Sequence, residues 1–399
     1  LHDGDLITWY YSSFGESPSD PDIADDEEAV IIDGIATYPN AQRPDWNAAW
    51  PGFGVGAAPD GASTPTEPVE GKWQVQLKDL QDLMTNVSDP IIVNDRVYVA
   101  VGSQLRVFNA STGEEFASAD LVAPIDHVSR MVYAEGIIVV PVKGGRLQAL
   151  TADTLTTVWI TDTLPELDGK GSQQSQGTLT VADGYVYYGT AAAGSDVYYN
   201  GYFTCVRLSD GAVMWSNENH SSGFYWSGAA VVDGKAIVSD NSGTLFVFDG
   251  ESGDAISTLN LGASVRSTVI PGSQQGTLLV VSDDGVLHKI GIDSTGVAKE
   301  LSSVRFGTYS TSTPVIVDGK VYVGGSSFES KPNTWGGESY GGVLAVIDEA
   351  TMSVGYSATT YDGGKMLPAE SKSTPLVSVQ PTGIYVYFTC NEEPGGVYC

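Results

Sequence analysis

The chain has 399 residues, with 49 acidic against 19 basic side chains and a net charge of −30 at neutral pH. That balance repels phosphate backbones and anionic lipid, which excludes nucleic acid as a partner of the whole molecule. No apolar run approaches the ~18 residues of a membrane-crossing helix, so no membrane insertion is expected, and the charge favours a soluble monomer. Gly 47, Pro 19 and 10% aromatics suit turns and strands better than helices.

Residues 1–43 are predicted to form an N-terminal segment distinct from the rest of the chain. Leu1 is no natural initiator and no basic-then-apolar leader precedes the first strand, so a signal peptide is expected to be absent or already removed. Asp3 to Tyr11 is predicted to be a strand, and the acidic stretch Ser17 to Glu28 a linker. Asp20, Asp22, Asp25 and Glu27 there could hold Ca²⁺, but the Gly-turned loop of a dedicated calcium site is missing and a plain linker is the simpler reading. Gly71 to Leu77 then reads as an isolated strand carrying Trp73.

From Ser88 onward one unit recurs, clearest in the stretch from Ser312 to Gly325 (STPVIVDGKVYVGG). Copies begin at Ser88, Ser129, Gly177, Ser227, Ser267, Ser312 and Ser373, 40 to 61 residues apart. Each is an apolar strand, in most copies a turn pair such as Asp-Gly, and a Val/Tyr-rich strand, which is a hairpin. A third strand follows from Leu105, Leu147, Phe203, Leu245, Leu287 and Leu344, and in most copies a Gly-containing turn then opens a fourth with a large residue such as Trp159, Trp215 or Tyr356. Four short antiparallel strands at this period predict an all-β, seven-bladed β-propeller over residues 44–399. The seventh copy lacks a fourth strand, and the isolated strand 71–77 is predicted to complete the last blade and close the ring.

The repeat resembles the PQQ-like β-propeller family, and Trp46 to Gly54 is similar to the lead-in of such propellers. The resemblance implies the fold but little about function, since the family holds quinoprotein dehydrogenases, outer-membrane assembly lipoproteins and surface proteins. Quinoprotein dehydrogenases usually have eight blades, a vicinal Cys-Cys pair and an adjoining calcium site. Here the cysteines are Cys205, Cys390 and Cys399, none adjacent, which argues against PQQ, and no cofactor is expected. Residues 1–12 resemble the last strand of a transcobalamin C-terminal-like domain, a type found beside propellers in Gram-positive bacterial surface proteins, as well as a plain docked strand.

Cys390 and Cys399 flank Pro394-Gly395; a two-residue turn there would set them opposite each other, giving a candidate cross-strand disulfide. The histidines show no metal-ligand spacing, and no nucleophile motif occurs. The long insertions join second to third strands or one blade to the next, links that share one face of a propeller. They put Tyr198, Tyr199, Tyr202, His220, Tyr225, Trp226, Trp335 and Tyr340 forward as ligand-binding candidates, with internal packing of the loops as the alternative. Arg130, Arg266 and Lys372 each flank the Ser that begins a first strand, and could meet an anionic group at the funnel or neutralise neighbouring acids. The expectation is a non-enzymatic extracellular or cell-surface module binding a glycan, peptide or surface protein on the long-loop face. A lyase or hydrolase with a funnel site is the competing class, a spacer in an adhesin the third, and a PQQ-dependent dehydrogenase the least favoured.

Overall fold

The computed structural model describes residues 29–53, 73–79, 81–192, 200–332, 337–391 and 396–399, and their regular structure is all strand. Blade 1 comprises Ile91–Val93, Arg96–Val101, Gln104–Asn109 and Glu115–Asp120, with Ala48–Trp50 as a fifth strand beside the first. Blade 2 comprises Val132–Ala134, Ile137–Val142, Arg146–Thr151 and Thr157–Ile160. Blade 3 comprises Thr180–Ala182, Tyr185–Gly189, Gly201–Arg207 and Val213–Asn219. Blade 4 comprises Ala230–Val232, Lys235–Ser239, Thr244–Asp249 and Ala255–Asn260. Blade 5 comprises Ile270–Pro271, Thr277–Ser282, Val286–Ile292 and Ala298–Arg305. Blade 6 comprises Val315–Val317, Lys320–Pro332, Glu338–Asp348 and Ser353–Ala358. Blade 7 shows three strands, Leu376–Gln380, Gly383–Cys390 and Gly396–Tyr398. These antiparallel sheets make a seven-bladed β-propeller. The chain divides into two compact units, with blades 1–3 within Leu6–Ser221 and blades 4–7 within Ser222–Cys399.

The hairpins form where the turn pairs tolerate a left-handed backbone. Asn94-Asp95, Glu135-Gly136, Asp183-Gly184, Asp233-Gly234 and Asp318-Gly319 all have positive φ at both positions, as a type I′ turn requires. Second strands are buried on both faces, at every residue in Ile137–Val142 and Thr277–Ser282, because each blade is packed between neighbours. The cores accordingly sit between blades. Tyr98 and Val107 meet Ile138 and Val140, Val139 and Leu147 meet Val186 and Tyr188, and in the second unit Ile237 and Val247 meet Val280 and Ile290.

A second contact repeats between blades. The Trp159 indole of blade 2 donates to the Leu208 carbonyl of blade 3 at 2.9 Å and covers Gly211, whose φ is +72°. A Cβ on Gly211 would lie 2.6 Å from the ring, so glycine is required there. Trp73 repeats the arrangement on blade 1, donating to Ala110 O at 2.9 Å over Gly113. Trp73 thus stands toward blade 1 as a fourth-strand residue of a preceding blade would. Gly71 and Lys72 lie outside the described residues, and Trp73 to Leu77 form no strand ladder. Closure of the ring through 71–77 is therefore a proposal supported by the placement of Trp73.

The residues before the repeats wrap blade 2. A short hairpin, Val30–Ile32 with Ile35–Thr37, turns at Asp33-Gly34 and carries an Asp33–Arg146 ion pair of 2.7 Å. Tyr38 N donates to Thr157 O on the fourth strand. The chain then passes Gly136 and follows the first strand of blade 2, with Tyr133 OH on Trp46 O, Tyr133 N on Pro51 O and Phe53 over Arg130. Residues 1–28, including the expected strand, linker and acidic cluster, lie outside the described residues.

Candidate functional site

The site candidates sit where first strands begin, and a serine sets their position. In blades 5, 6 and 7 the second-strand N–H of Val281, Gly324 and Thr389 donates to Oγ of Ser267, Ser312 and Ser373, at 3.0, 3.2 and 3.2 Å. Ser88 does the same for Ala100 N in blade 1 at 2.9 Å. The recurrent Ser is thus a structural pin, and the residue before it is held at the mouth of its blade.

In the second unit this position is occupied by Trp226, Arg266, Thr311 and Lys372, one from each of blades 4 to 7. Consecutive first strands are bonded to one another at this level. Val269 N donates to Gly228 O at 3.0 Å, Thr268 N to Thr313 Oγ1 at 3.0 Å, and Ser312 Oγ to Ser373 O at 2.8 Å. The four residues therefore form a continuous arc.

Trp226 is half-buried, has φ of +61°, and stacks on Tyr225 with centroids 4.9 Å apart and an 18° tilt. Val128, at the same place in blade 2, has φ of +59°, whereas Arg266, Thr311 and Lys372 do not have positive φ, so blades 2 and 4 share a turn that the other three lack. Tyr225 is buried, with the Arg266 guanidinium 5.5 Å from its ring centre. Arg266 Nε donates to Asn241 Oδ1 at 3.1 Å, and Lys372 Nζ meets Glu370 Oε1 at 2.6 Å. The Tyr309 phenol is half-buried. Burial raises its pKa, Arg266 and Lys372 pull it down, and Glu370 and Asp283 push it up. Asp283 is itself raised by burial, against the pull of Arg266.

Arg130 does not join this arc. It is buried beneath Phe53, 3.6 Å from the ring centre, and its Nε lies 3.7 Å from Asp89 Oδ2. It follows its Ser where Arg266 and Lys372 precede theirs, and the lead-in covers it, so Arg130 is corrected from a funnel ligand to a packed residue. Tyr202 is likewise a packing residue, buried in Gly201–Arg207 with its N–H on Thr190 Oγ1. His220 is exposed and bridges Asp168 (2.9 Å) and Glu218 (3.0 Å), which hold its pKa above the ordinary value. Tyr340 is exposed on the long hairpin of blade 6, as is Phe328. Tyr198, Tyr199 and Trp335 lie outside the described residues.

The cross-strand disulfide is corrected. All three cysteines are free, and the register sets Gly396, not Cys399, opposite Cys390. Burial pushes the Cys205 thiol up to about 11 and the Cys390 thiol up to about 12, so both are inert at neutral pH.

Three described carboxylates, Asp89, Asp126 and Asp283, have a raised pKa. Asp89 and Asp126 of the first unit are raised by burial, Asp126 to about 6. His288 is satisfied by Ser282 and Glu300, each at 2.8 Å. A shallow groove of about 180 Å³ between blades 5 and 6, lined by Arg305, Phe306, Phe328, Val343 and Val354, carries no carboxylate. Among the described residues no group of three His, Cys, Asp or Glu side chains could hold a metal ion. A quinone stacked on a vicinal disulfide does not fit this chain, because Cys205 lies within a blade strand opposite Tyr187 and Trp215.

The fold and its repeat define the class, a β-propeller of PQQ-like blades. The family model described as outer membrane protein assembly factor BamB matches residues 70–225 and 200–351, and the chain belongs to that family. No curated protein matches the sequence. Among solved structures, BamB from Moraxella catarrhalis is similar at 15% identity and a TM-score of 0.50, over 74% of this chain and 79% of that one. A quinohemoprotein alcohol dehydrogenase from Comamonas testosteroni is similar at 12% identity and 0.54, over 76% and 70%. A europium-containing methanol dehydrogenase is similar at 13% and 0.57, over 80% and 77%. At these identities the likeness shows the fold, which assembly factors and dehydrogenases share.

Proposed function

We propose that the chain is a non-enzymatic, extracytoplasmic binding module that holds its partner on the long-loop face of blades 4 to 7. The observation that carries this reading is the run of Trp226, Arg266, Thr311 and Lys372 at one level, beside the Tyr225–Trp226 stack. An aromatic plate next to cations is contact chemistry, since it supplies area and orientation without a nucleophile or a paired base. Tyr340 and Phe328 on the hairpin of blade 6 extend the apolar contact surface of the same unit. The family description, an assembly factor for outer membrane proteins, supports both a partner-binding role and a place outside the cytoplasm. The test is a screen of the immobilised chain against a glycan array and a library of surface proteins and peptides. Trp226→Ala with Tyr340→Ala should remove the hits while leaving the melting temperature within a few degrees. Hits that survive the double variant, or a screen with none, would refute the reading.

A further inference from the structure

His220 lies outside the arc, and we propose that it is a proton-operated latch whose imidazolium ties the link between blades 2 and 3 to the outer strand of blade 3. Its Nδ1 lies 2.9 Å from Asp168 Oδ2 and its Nε2 lies 3.0 Å from Glu218 Oε2. A carboxylate only accepts, so each contact is a hydrogen bond only when the ring nitrogen brings the proton. A neutral imidazole has one N–H for two carboxylates, and an imidazolium has two. One proton therefore completes the pair of bonds, and its loss breaks one of them. The carboxylates bond different nitrogens, so the three side chains do not surround a common metal ion. The latch does not depend on the binding-module reading.

The backbone holds the two anchors differently. Glu218 stands in Val213–Asn219, opposite Tyr202 in the ladder of blade 3. Asp168 stands at the tip of the link, in a turn where Lys170 N donates to Leu167 O at 3.1 Å and Asp168 and Gly169 both have positive φ. That is a type I′ turn, with an aspartate in the left-handed region that favours glycine. Leu167, at its base, is buried, and its carbonyl accepts from Asn200 Nδ2 at 2.7 Å. Asp168, Gly169 and Lys170 are exposed. Loss of the proton thus releases the exposed turn and leaves the buried base of the link in place.

Asp168 first and then Glu218 hold the His220 pKa above its ordinary 6.5, and these are the charged groups that face the ring; Glu166 and Lys170 flank Asp168 on the link. The folded chain therefore keeps the proton to higher pH than the unfolded chain does. The latch is complete below 6.5 and opens as pH rises through the raised value. All three side chains are about half exposed, and an exposed ion pair shifts an equilibrium by up to about fivefold. The turn thus opens by a shift in population while the blade stays folded.

The experiment joins two measurements on the full chain, proton–nitrogen NMR of the His220 ring and amide hydrogen exchange of the turn 167–171, each at pH 6 and pH 9. At pH 6 both ring nitrogens should carry a proton, and the His220→Gln spectrum assigns the signals. After correction for the intrinsic pH dependence of exchange, the turn amides should exchange about two- to fivefold faster at pH 9 than at pH 6. In His220→Gln they should exchange at the faster rate at both pH values, with melting curves as the control for folding. Asp168→Asn and Glu218→Gln should each lower the pH at which the His220 ring titrates, and Asp168→Asn should also remove the pH dependence of the turn. A ring that holds a single proton at pH 6 overturns the proposal. So does a turn that exchanges alike at both pH values in the wild type, or a pH dependence that survives His220→Gln.

Discussion

Gly211→Ala is the sharpest probe of how the blades are held together. Gly211 has φ of +72°, and moving an alanine into that left-handed region costs about 1 kcal/mol. Its new Cβ would also lie 2.6 Å from the Trp159 ring, an overlap that forces the ring or the turn aside at about 1–3 kcal/mol. The total is about 2–4 kcal/mol. Gly184, in the first hairpin of the same blade, separates the two effects, because its φ is +77° with nothing within 4 Å of an added Cβ. Gly184→Ala should therefore cost only about 1 kcal/mol. With some 300 residues unfolding together, the two variants should melt lower by about 3–6 °C and 1–2 °C. The assay is thermal and denaturant unfolding of both variants and of Gly211→Ala in a Trp159→Ala background. With the ring gone, Gly211→Ala should fall to the cost of Gly184→Ala, a coupling of about 1–3 kcal/mol. An equal cost in both backgrounds would falsify the ring-on-glycine contact as the clasp between blades 2 and 3.

Three further outcomes rest on the same geometry. Burial raises the Asp126 carboxyl to about 6 from an ordinary value of 3.8, so the folded state binds the extra proton and loses stability as pH rises from about 4 to 6. Asp126→Asn should then stabilise the protein at pH 7, by at most about 3 kcal/mol, and show no gain at pH 3.5; a gain independent of pH refutes the burial argument. Lys289 and Glu349 are both buried, with Nζ 3.2 Å from the Glu349 carbonyl and 4.0 Å from Oε1. Lys289→Met should cost about 3 kcal/mol by stranding the carboxylate, and adding Glu349→Gln should recover part of it in denaturant melts. A thiol reagent should label Cys399 alone in the native chain and all three cysteines in denaturant, since Cys205 and Cys390 are buried; a count of one after unfolding without reductant would restore the disulfide.

Much of the architecture is legible in the sequence because the repeat states it locally. The Asp-Gly pairs, the Val/Tyr strands and the glycines under large side chains each follow from backbone conformation or side-chain size, properties a residue carries with it. The Asp33-Gly34 hairpin is equally local, between Ile32 and Ile35, yet the acidic residues just before it mask its turn signal. The sites are legible only in part. Arg130, Arg266 and Lys372 all flank a first-strand Ser, but Arg130 follows it where Arg266 and Lys372 precede it, and nothing local says that another segment covers Arg130. The pairing of Cys390 with Cys399 fails for a similar reason, since strand register depends on the residues that turn between them.

The sequence by itself determined a propeller of seven PQQ-like blades, because turn chemistry and strand patterning act within a few residues and repeat. Only the tertiary structure decided the candidate site. Trp226, Arg266, Thr311 and Lys372 are separated by 40 to 61 residues, and hydrogen bonds between neighbouring first strands bring them into one arc. Burial under the lead-in, a contact between residues 53 and 130, removed Arg130 from that set.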